Sequence, residues 1–239
     1  LCREIRRRAP GIHIHAFSPF EVWYGARQKG WTVADYLVAL KEAGLDSMPG
    51  TAAEILDDEV RRQICPTKLN VAQWVSVVEA AHRVGIPTSA TMMYGHVESN
   101  KHRARHVALI RSMQKSTGGF TEFVPLSFVH PRTALFRSGH CRPGATGLED
   151  VKVHAVARLM LRGAIRNVQV SWVKLGPKLA QVCLAAGAND LGGTLIEEHI
   201  SRSAGSAWGA SMAEGELRWL AESIGRVPRR RSTTYQMPN

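Results

Sequence analysis

Gly118-Gly119-Phe120-Thr121-Glu122-Phe123-Val124-Pro125-Leu126, followed by Ser127-Phe128-Val129-His130, is a nearly apolar run that ends in a polar loop. A second such run, Asn167-Val168-Gln169-Val170-Ser171-Trp172-Val173-Lys174-Leu175-Gly176, follows one helix later. Strands that are apolar almost throughout and separated by helices belong to a parallel sheet buried on both faces. In such sheets the chemistry sits at the C-terminal strand ends. Glu122, His130 and Lys174 are therefore the first polar residues to consider.

Working outward, the same pattern recurs. Strands are expected at Ile12–Phe17, Leu45–Met48, Thr88–Tyr94, Phe120–Leu126, Val168–Val173 and Asn189–Leu191. Ser18 reads as an N-cap, with Pro19 at the first helical position and Glu21 three residues after the cap. Further helices are expected from Thr32 to Gly44, Ala52 to Ile64, after the Asn70 cap to Gly85, Lys101 to Ser116, Leu148 to Leu161, Lys178 to Ala186 and Ala213 to Ile224. The segment Ser127 to Gly147 has little periodicity, and long loops in compact domains are usually functional.

The fold class is α/β. Six strand-then-helix units point to a partial (β/α) TIM-type barrel over residues 1–225, with a loosely ordered basic tail at 226–239. A complete eight-stranded barrel needs two more units, and the helical start at Leu1 leaves room for them upstream. No G-x-G-x-x-G follows the first strand, which disfavours the dinucleotide-binding doubly wound sheet. The first residue is Leu rather than Met, the mark of a fragment or a processed product.

The chain has 239 residues, 44% of them hydrophobic, enough for a sizeable core. No apolar run is long enough to span a membrane, and no signal peptide is visible. The net charge is +11, carried by scattered Arg and Lys with two local runs at Arg6–Arg8 and Arg229–Arg231. These runs lie at opposite ends without interleaved aromatics, so a nucleic-acid surface is disfavoured. Cys2, Cys65, Cys141 and Cys183 are scattered, form no CxxC motif and fit a reducing compartment. A Walker loop, G-x-S-x-G and HExxH are all missing.

His13 and His15 alternate on the first strand and share a face. They are either ligand contacts or hydrogen-bonded interior histidines. Glu54, just past a strand end, can accept two hydrogen bonds from a ribose diol, or complement a helix dipole. Arg61 can pair with a carboxylate or lie on the surface. His96 and Glu98, in a loop at a strand end, can handle protons or bind a metal, although H-x-E is a weak motif. Glu122 within an apolar strand needs a partner, which a basic residue on a neighbouring strand can supply. Gly192-Gly193-Thr194 is either an anion site or a pair of caps.

Several strings together resemble one family. His13-Ile14-His15-Ala16-Phe17-Ser18-Pro19 with Glu21 resembles the third barrel strand of radical S-adenosylmethionine (SAM) enzymes that make deazaflavin and menaquinone precursors. Pro49-Gly50-Thr51-Ala52-Ala53-Glu54-Ile55-Leu56, Gly95-His96-Val97-Glu98, the opening stretch, Gln169 to Gly176 and Ala188 to Thr194 all resemble the tyrosine-dependent subunits of FO synthase. The resemblance runs from about Gly11 to Thr234.

The resemblance implies a radical SAM barrel and a 5-amino-6-(D-ribitylamino)uracil–L-tyrosine 4-hydroxyphenyl transferase. In that family a 4Fe–4S cluster cleaves SAM, and a fragment of tyrosine is transferred to the ribityl-uracil. It further implies that Glu54 holds the SAM ribose and Arg61 its carboxylate. His13, His15, His96, Glu98 and Glu122 would line the substrate cavity, with Lys174 anchoring a carboxylate. The implied partners are L-tyrosine, the ribityl-uracil and an FO-cyclising subunit or fused domain. No membrane partner is implied, and the compartment would be cytoplasm or plastid stroma. The family ligates its cluster through C-x₃-C-x₂-C near the first strand. No cysteines here have that spacing, so no metal ligand is assigned in this chain, the ligands are expected upstream, and the chain alone is expected to be inactive. The aminofutalosine synthase branch and a barrel without chemistry are the alternatives. The opening stretch and Gln169–Lys174 favour the FO branch.

Overall fold

The structure is a computed structural model and describes residues 1–196, 198–209 and 211–236. Two strands form a full parallel ladder, β1 (Thr88–Tyr94) and β2 (Phe120–Ser127). Four further segments join through single parallel bridges: His15 with Ser47, Met48 with Thr88, Phe123 with Val168, and Gln169 with Asp190. The order across the sheet thus follows the order along the chain, with every pairing parallel. A doubly wound sheet reverses its order at a switch point. This sheet does not, and its sequential winding is that of a barrel wall.

The expected strands at 12–17, 45–48, 168–173 and 189–191 are shorter than the sequence pattern suggests. Side chains replace part of their ladders. The Ile14 amide donates to Asp46 Oδ2 (2.7 Å), and the Val168 amide to Asn189 Oδ1 (2.9 Å). The segment after Val170 leaves the sheet altogether, because Trp172–Leu175 coils into a helical turn.

Helices cover the sheet: α1 (Cys2–Arg8), α2 (Pro19–Lys29), α3 (Val33–Glu42), α4 (Asp58–Ile64), α5 (Val71–Arg83), α6 (Asn100–Thr117), α7 (Ala134–Arg137), α8 (Gly147–Leu161), α9 (Trp172–Leu175), α10 (Pro177–Ala185), α11 (Ile200–Ala204) and α12 (Glu214–Glu222). The Ser18 capping box forms as read. Ser18 Oγ accepts from the Glu21 amide, and the Glu21 carboxylate accepts from the Ser18 amide at 2.7 Å. Trp74, Leu37, Ile86, Ile110, Phe123 and Leu161 are fully buried between helices and sheet. Among the described residues no helix is long and apolar enough to cross a membrane.

One helix is misread by composition. Residues 52–57 are not helical, and α4 begins only after the Asp57 cap. Ala52 (φ 59°) and Glu54 (φ 46°) adopt left-handed backbone that ordinary side chains disfavour. A second correction concerns the tail, which folds back onto the barrel through residue 236. Residues 237–239 of that tail lie outside the described residues.

Candidate functional site: the barrel mouth and its polar interior

Alternation sorts the strand residues into two faces. Ala90, Met92 and Tyr94 are buried, and Tyr94 reaches Asp150 of α8 (2.7 Å), so that face meets the helices. Phe123 likewise packs beside His106 of α6. The opposite face of the strands is the barrel interior. It carries His13, His15, Ser47, Thr91, Glu122, Gln169 and Asp190.

At the mouth, Glu54 is presented by a loop with unusual support. Gly50 packs against β1, where a Cβ would lie 2.0 Å from the Ser89 carbonyl oxygen. Its amide donates to Ser89 Oγ (3.0 Å), and its carbonyl accepts from Thr91 Oγ1 (2.7 Å). The Glu54 carbonyl accepts from the Met93 amide (2.8 Å). Arg61 completes the support from α4. It is 3% exposed and donates to the carbonyls of Leu69, Ala53, Ile55 and Ala52. These bonds occupy all five guanidinium protons. Arg61 therefore has no donor left for a ligand carboxylate, which corrects the role expected for it. It instead gathers the carbonyls of Ala52, Ala53 and Ile55, which supports the 52–57 segment in its non-helical course.

The Glu54 carboxylate itself pairs with Lys68 (2.5 Å). Across the mouth, Lys174 on α9 donates to Ser201 Oγ (3.0 Å). Burial lowers the Lys174 pKa, while the negative fields of Glu198 and Glu54 act to raise it. Glu54, Lys68 and Lys174 thus bring one carboxylate and two ammonium groups to the strand ends.

His96 and Glu98 have other work. Glu98 accepts from the Gly95 amide (2.7 Å), the His96 amide (2.8 Å) and Arg103 Nε (2.6 Å). His96 Nδ1 accepts from the Val97 amide (2.8 Å), so its proton sits on Nε2, directed at the Met93 carbonyl (3.1 Å). Burial lowers the His96 pKa, while the charge of Glu98, whose Oε2 lies 3.2 Å from Nδ1, acts to raise it. Both side chains are spent on knotting the loop after β1, and neither lines a cavity as a free ligand. The Gly192 amide likewise donates to Asp190 Oδ1 (2.5 Å), so this amide of the turn is already occupied.

Deeper in the barrel, His13 Nε2 and His15 Nδ1 both meet Ser47 Oγ, at 2.7 Å and 2.6 Å. The shared face expected from alternation is thereby present. Desolvation, followed by the charges of His13 and Arg231, pulls His15 down to about 4. Glu122 Oε2 accepts from Gln169 Nε2 (2.8 Å) and from the Tyr235 hydroxyl (2.5 Å). Burial raises the Glu122 pKa, with Tyr235 and Arg231 opposing that rise. The basic partner expected on a neighbouring strand comes from the tail instead: Arg231 lies 3.9 Å from Glu122 and pairs with Asp190 at 2.6 Å. Lys68, Ser47, Asp190, Arg231 and Tyr235 were not legible as site residues. Only the acidic residue in an apolar strand hinted that a buried cation was needed.

The donor set does not fit an iron–sulfur cluster. Cys2, Cys65 and Cys183 are buried and Cys141 is half-buried. Among the described residues the single ligand cluster able to hold a metal ion is Asp57, Glu59 and His102, which contains no thiol.

Two family models match this chain. Residues 4–110 match the radical SAM superfamily, and residues 117–239 match the CofH/MqnC C-terminal region. A 5-amino-6-(D-ribitylamino)uracil–L-tyrosine 4-hydroxyphenyl transferase of Methanothermobacter thermautotrophicus is 56% identical over 99% of this chain and 64% of its own length. An FO synthase of Mycobacterium leprae is 51% identical over 99% of this chain and 28% of its own length. The chain therefore spans about 64% of the length of the transferase it matches. Among solved structures, methylornithine synthase superposes with a TM-score of 0.69 at 16% identity, covering 96% of this chain and 62% of that one. A hydrogenase maturase of Carboxydothermus hydrogenoformans gives 0.61 at 13% identity, covering 84% and 47%. Such low identities bear on the fold alone, and the fold is the barrel that the sequential strand order describes. The chain belongs to the CofH/MqnC family, within the radical SAM superfamily.

Proposed function

We propose that this chain is the C-terminal part of a radical SAM transferase that joins the 4-hydroxyphenyl fragment of L-tyrosine to 5-amino-6-(D-ribitylamino)uracil. The observation that carries the reading is the mouth built around Glu54, combined with relatives of that activity over 99% of the chain. In this reading SAM, when bound, supplies the radical chemistry. The chain's own residues bind and orient. Glu54 accepts hydrogen bonds from the ribose diol, and Lys68 exchanges part of its pairing with Glu54 for a ligand carboxylate. Lys174 offers a second ammonium at the mouth. His13, His15 and Glu122 form the polar wall for a substrate rich in hydrogen-bond donors. Cluster ligands belong to the part of the full-length polypeptide beyond this chain, and nothing in the barrel described here substitutes for them. The cyclising partner activity would reside in a separate subunit or in a fused domain, as the M. leprae relative's greater length accommodates.

The test is anaerobic product analysis of the full-length polypeptide with SAM, tyrosine and the ribityl-uracil. A coupled product supports the reading, and a product formed only with aminofutalosine-branch substrates replaces it. Within that assay, Glu54→Gln is expected to weaken SAM binding at least about tenfold, the size of one charge-assisted hydrogen bond. Unchanged affinity removes Glu54 from the SAM site.

A further inference from the structure

The arginine run at 229–231 has the composition of a solvated tail, yet its last member enters the barrel. Helices of βα units run antiparallel to their strands, so the chain leaving α12 emerges at the N-terminal ends of the strands. From there residues 226–236 pass under the sheet. Arg231 makes a bidentate pair with Asp190, Nε to Oδ2 at 2.6 Å and Nη2 to Oδ1 at 2.9 Å. Its guanidinium lies 4.3 Å from the centre of the Tyr235 ring. Tyr235, in left-handed backbone (φ 63°), is turned by bonds from its own amide to the Ser232 carbonyl (3.1 Å) and from the Gln236 amide to Ser232 Oγ (3.0 Å). That turn delivers its hydroxyl to Glu122 Oε2.

Two facts make this more than packing. Glu122 and Asp190 are buried carboxylates facing one interior, and Arg231 is the cation that pairs with both. Without it the two would repel each other in a desolvated space. Moreover, Gln169 and Tyr235 both use Oε2, so among the described residues Glu122 Oε1 accepts no hydrogen bond. The carboxylate is held by one oxygen and leaves the other for something else.

We propose that residues 228–236 are a built-in floor of the barrel, and that Arg231 and Tyr235 are positioning residues which hold Glu122 so that Oε1 receives a hydroxyl or amino donor of the substrate. This rests on the reading of Glu122 as a substrate contact given above. The charged and titratable groups that face Glu122 are Arg231, Asp190 and Tyr235, with His15 in the field of Arg231.

The experiment compares Arg231→Gln, Arg231→Lys, Tyr235→Phe and the exposed control Arg230→Gln in the full-length polypeptide. Two readouts are taken: kcat and KM for the ribityl-uracil across pH, and hydrogen exchange of amides 120–124 and 189–192. Arg231→Gln and Tyr235→Phe are expected to raise KM about tenfold or more with a smaller effect on kcat. In Arg231→Gln the acid limb of the pH profile moves to higher pH, because Glu122 loses its cation. Arg231→Lys restores part of the KM. Exchange in both strand segments accelerates in Arg231→Gln, and Arg230→Gln behaves as the parent. Parent-like KM, pH profile and exchange in Arg231→Gln and Tyr235→Phe overturn the proposal. If the parent makes no coupled product yet Arg231→Gln accelerates exchange, the floor stands and the substrate reading of Glu122 falls.

Discussion

Replacing Arg61 by leucine removes a guanidinium that holds four backbone carbonyls, those of Ala52, Ala53, Ile55 and Leu69. The side chain is 3% exposed, so water does not take over those bonds. A buried polar group left unpaired costs about 1–3 kcal/mol, and partial relaxation of the loop recovers some of it. A net loss of roughly 3–5 kcal/mol follows for the set. For a domain of this size that corresponds to a fall in Tm of about 6–20 °C. The assay is thermal unfolding of the full-length polypeptide, with SAM binding measured beside it. Arg61→Lys keeps the charge but offers three donors instead of five, so it should fall between parent and leucine variant. Lost SAM affinity with an unchanged Tm in Arg61→Leu would refute the reasoning. That outcome would return Arg61 to the role of a carboxylate ligand.

Other expectations follow from single features. Gly50→Ala places a Cβ 2.0 Å from the Ser89 carbonyl oxygen, whereas Gly11→Ala meets nothing within 4 Å. The first should cost at least about 2 kcal/mol in chemical unfolding and the second stay near parent. His82, bonded to Thr117 Oγ1 and Thr88 Oγ1, is lowered by burial from 6.5 to about 4. Its stabilisation is therefore complete above pH 6.5 and is lost as pH falls from 6.5 towards 4, where the unfolded chain binds the extra proton. His82→Gln should flatten the stability-versus-pH curve in that window, and an unchanged curve would contradict the assignment. Ser47→Ala removes the hydroxyl shared by His13 and His15. A loss of about 1 kcal/mol, read by urea denaturation, is expected.

The parts of the fold that were legible are those written locally. The capping box at Ser18, the Asn70 cap, the apolar runs of β1 and β2, and the βα alternation needed no tertiary information. The loop at 52–57 failed for a physical reason. Its composition is helical, but its carbonyls are captured by Arg61 and its Glu54 carbonyl by β1, and no local propensity encodes either partner. Strand alternation put His13 and His15 on one face, and both meet Ser47 Oγ there. The site was not legible where a side chain is consumed by its own loop, as with His96 and Glu98. It was least legible at Arg231 and Tyr235. They lie more than 100 positions from Glu122 in the chain, and a run of three arginines has the composition of a solvated surface.

The most direct measurement follows the ring of tyrosine. The full-length polypeptide is incubated anaerobically with SAM, the ribityl-uracil and tyrosine carrying carbon-13 throughout its ring, and the products are resolved by mass. The account predicts a ribityl-uracil adduct heavier by the labelled ring, formed in smaller amount at sub-saturating SAM when Glu54 is replaced by Gln. Consumption of SAM with no label ever reaching the ribityl-uracil would contradict it.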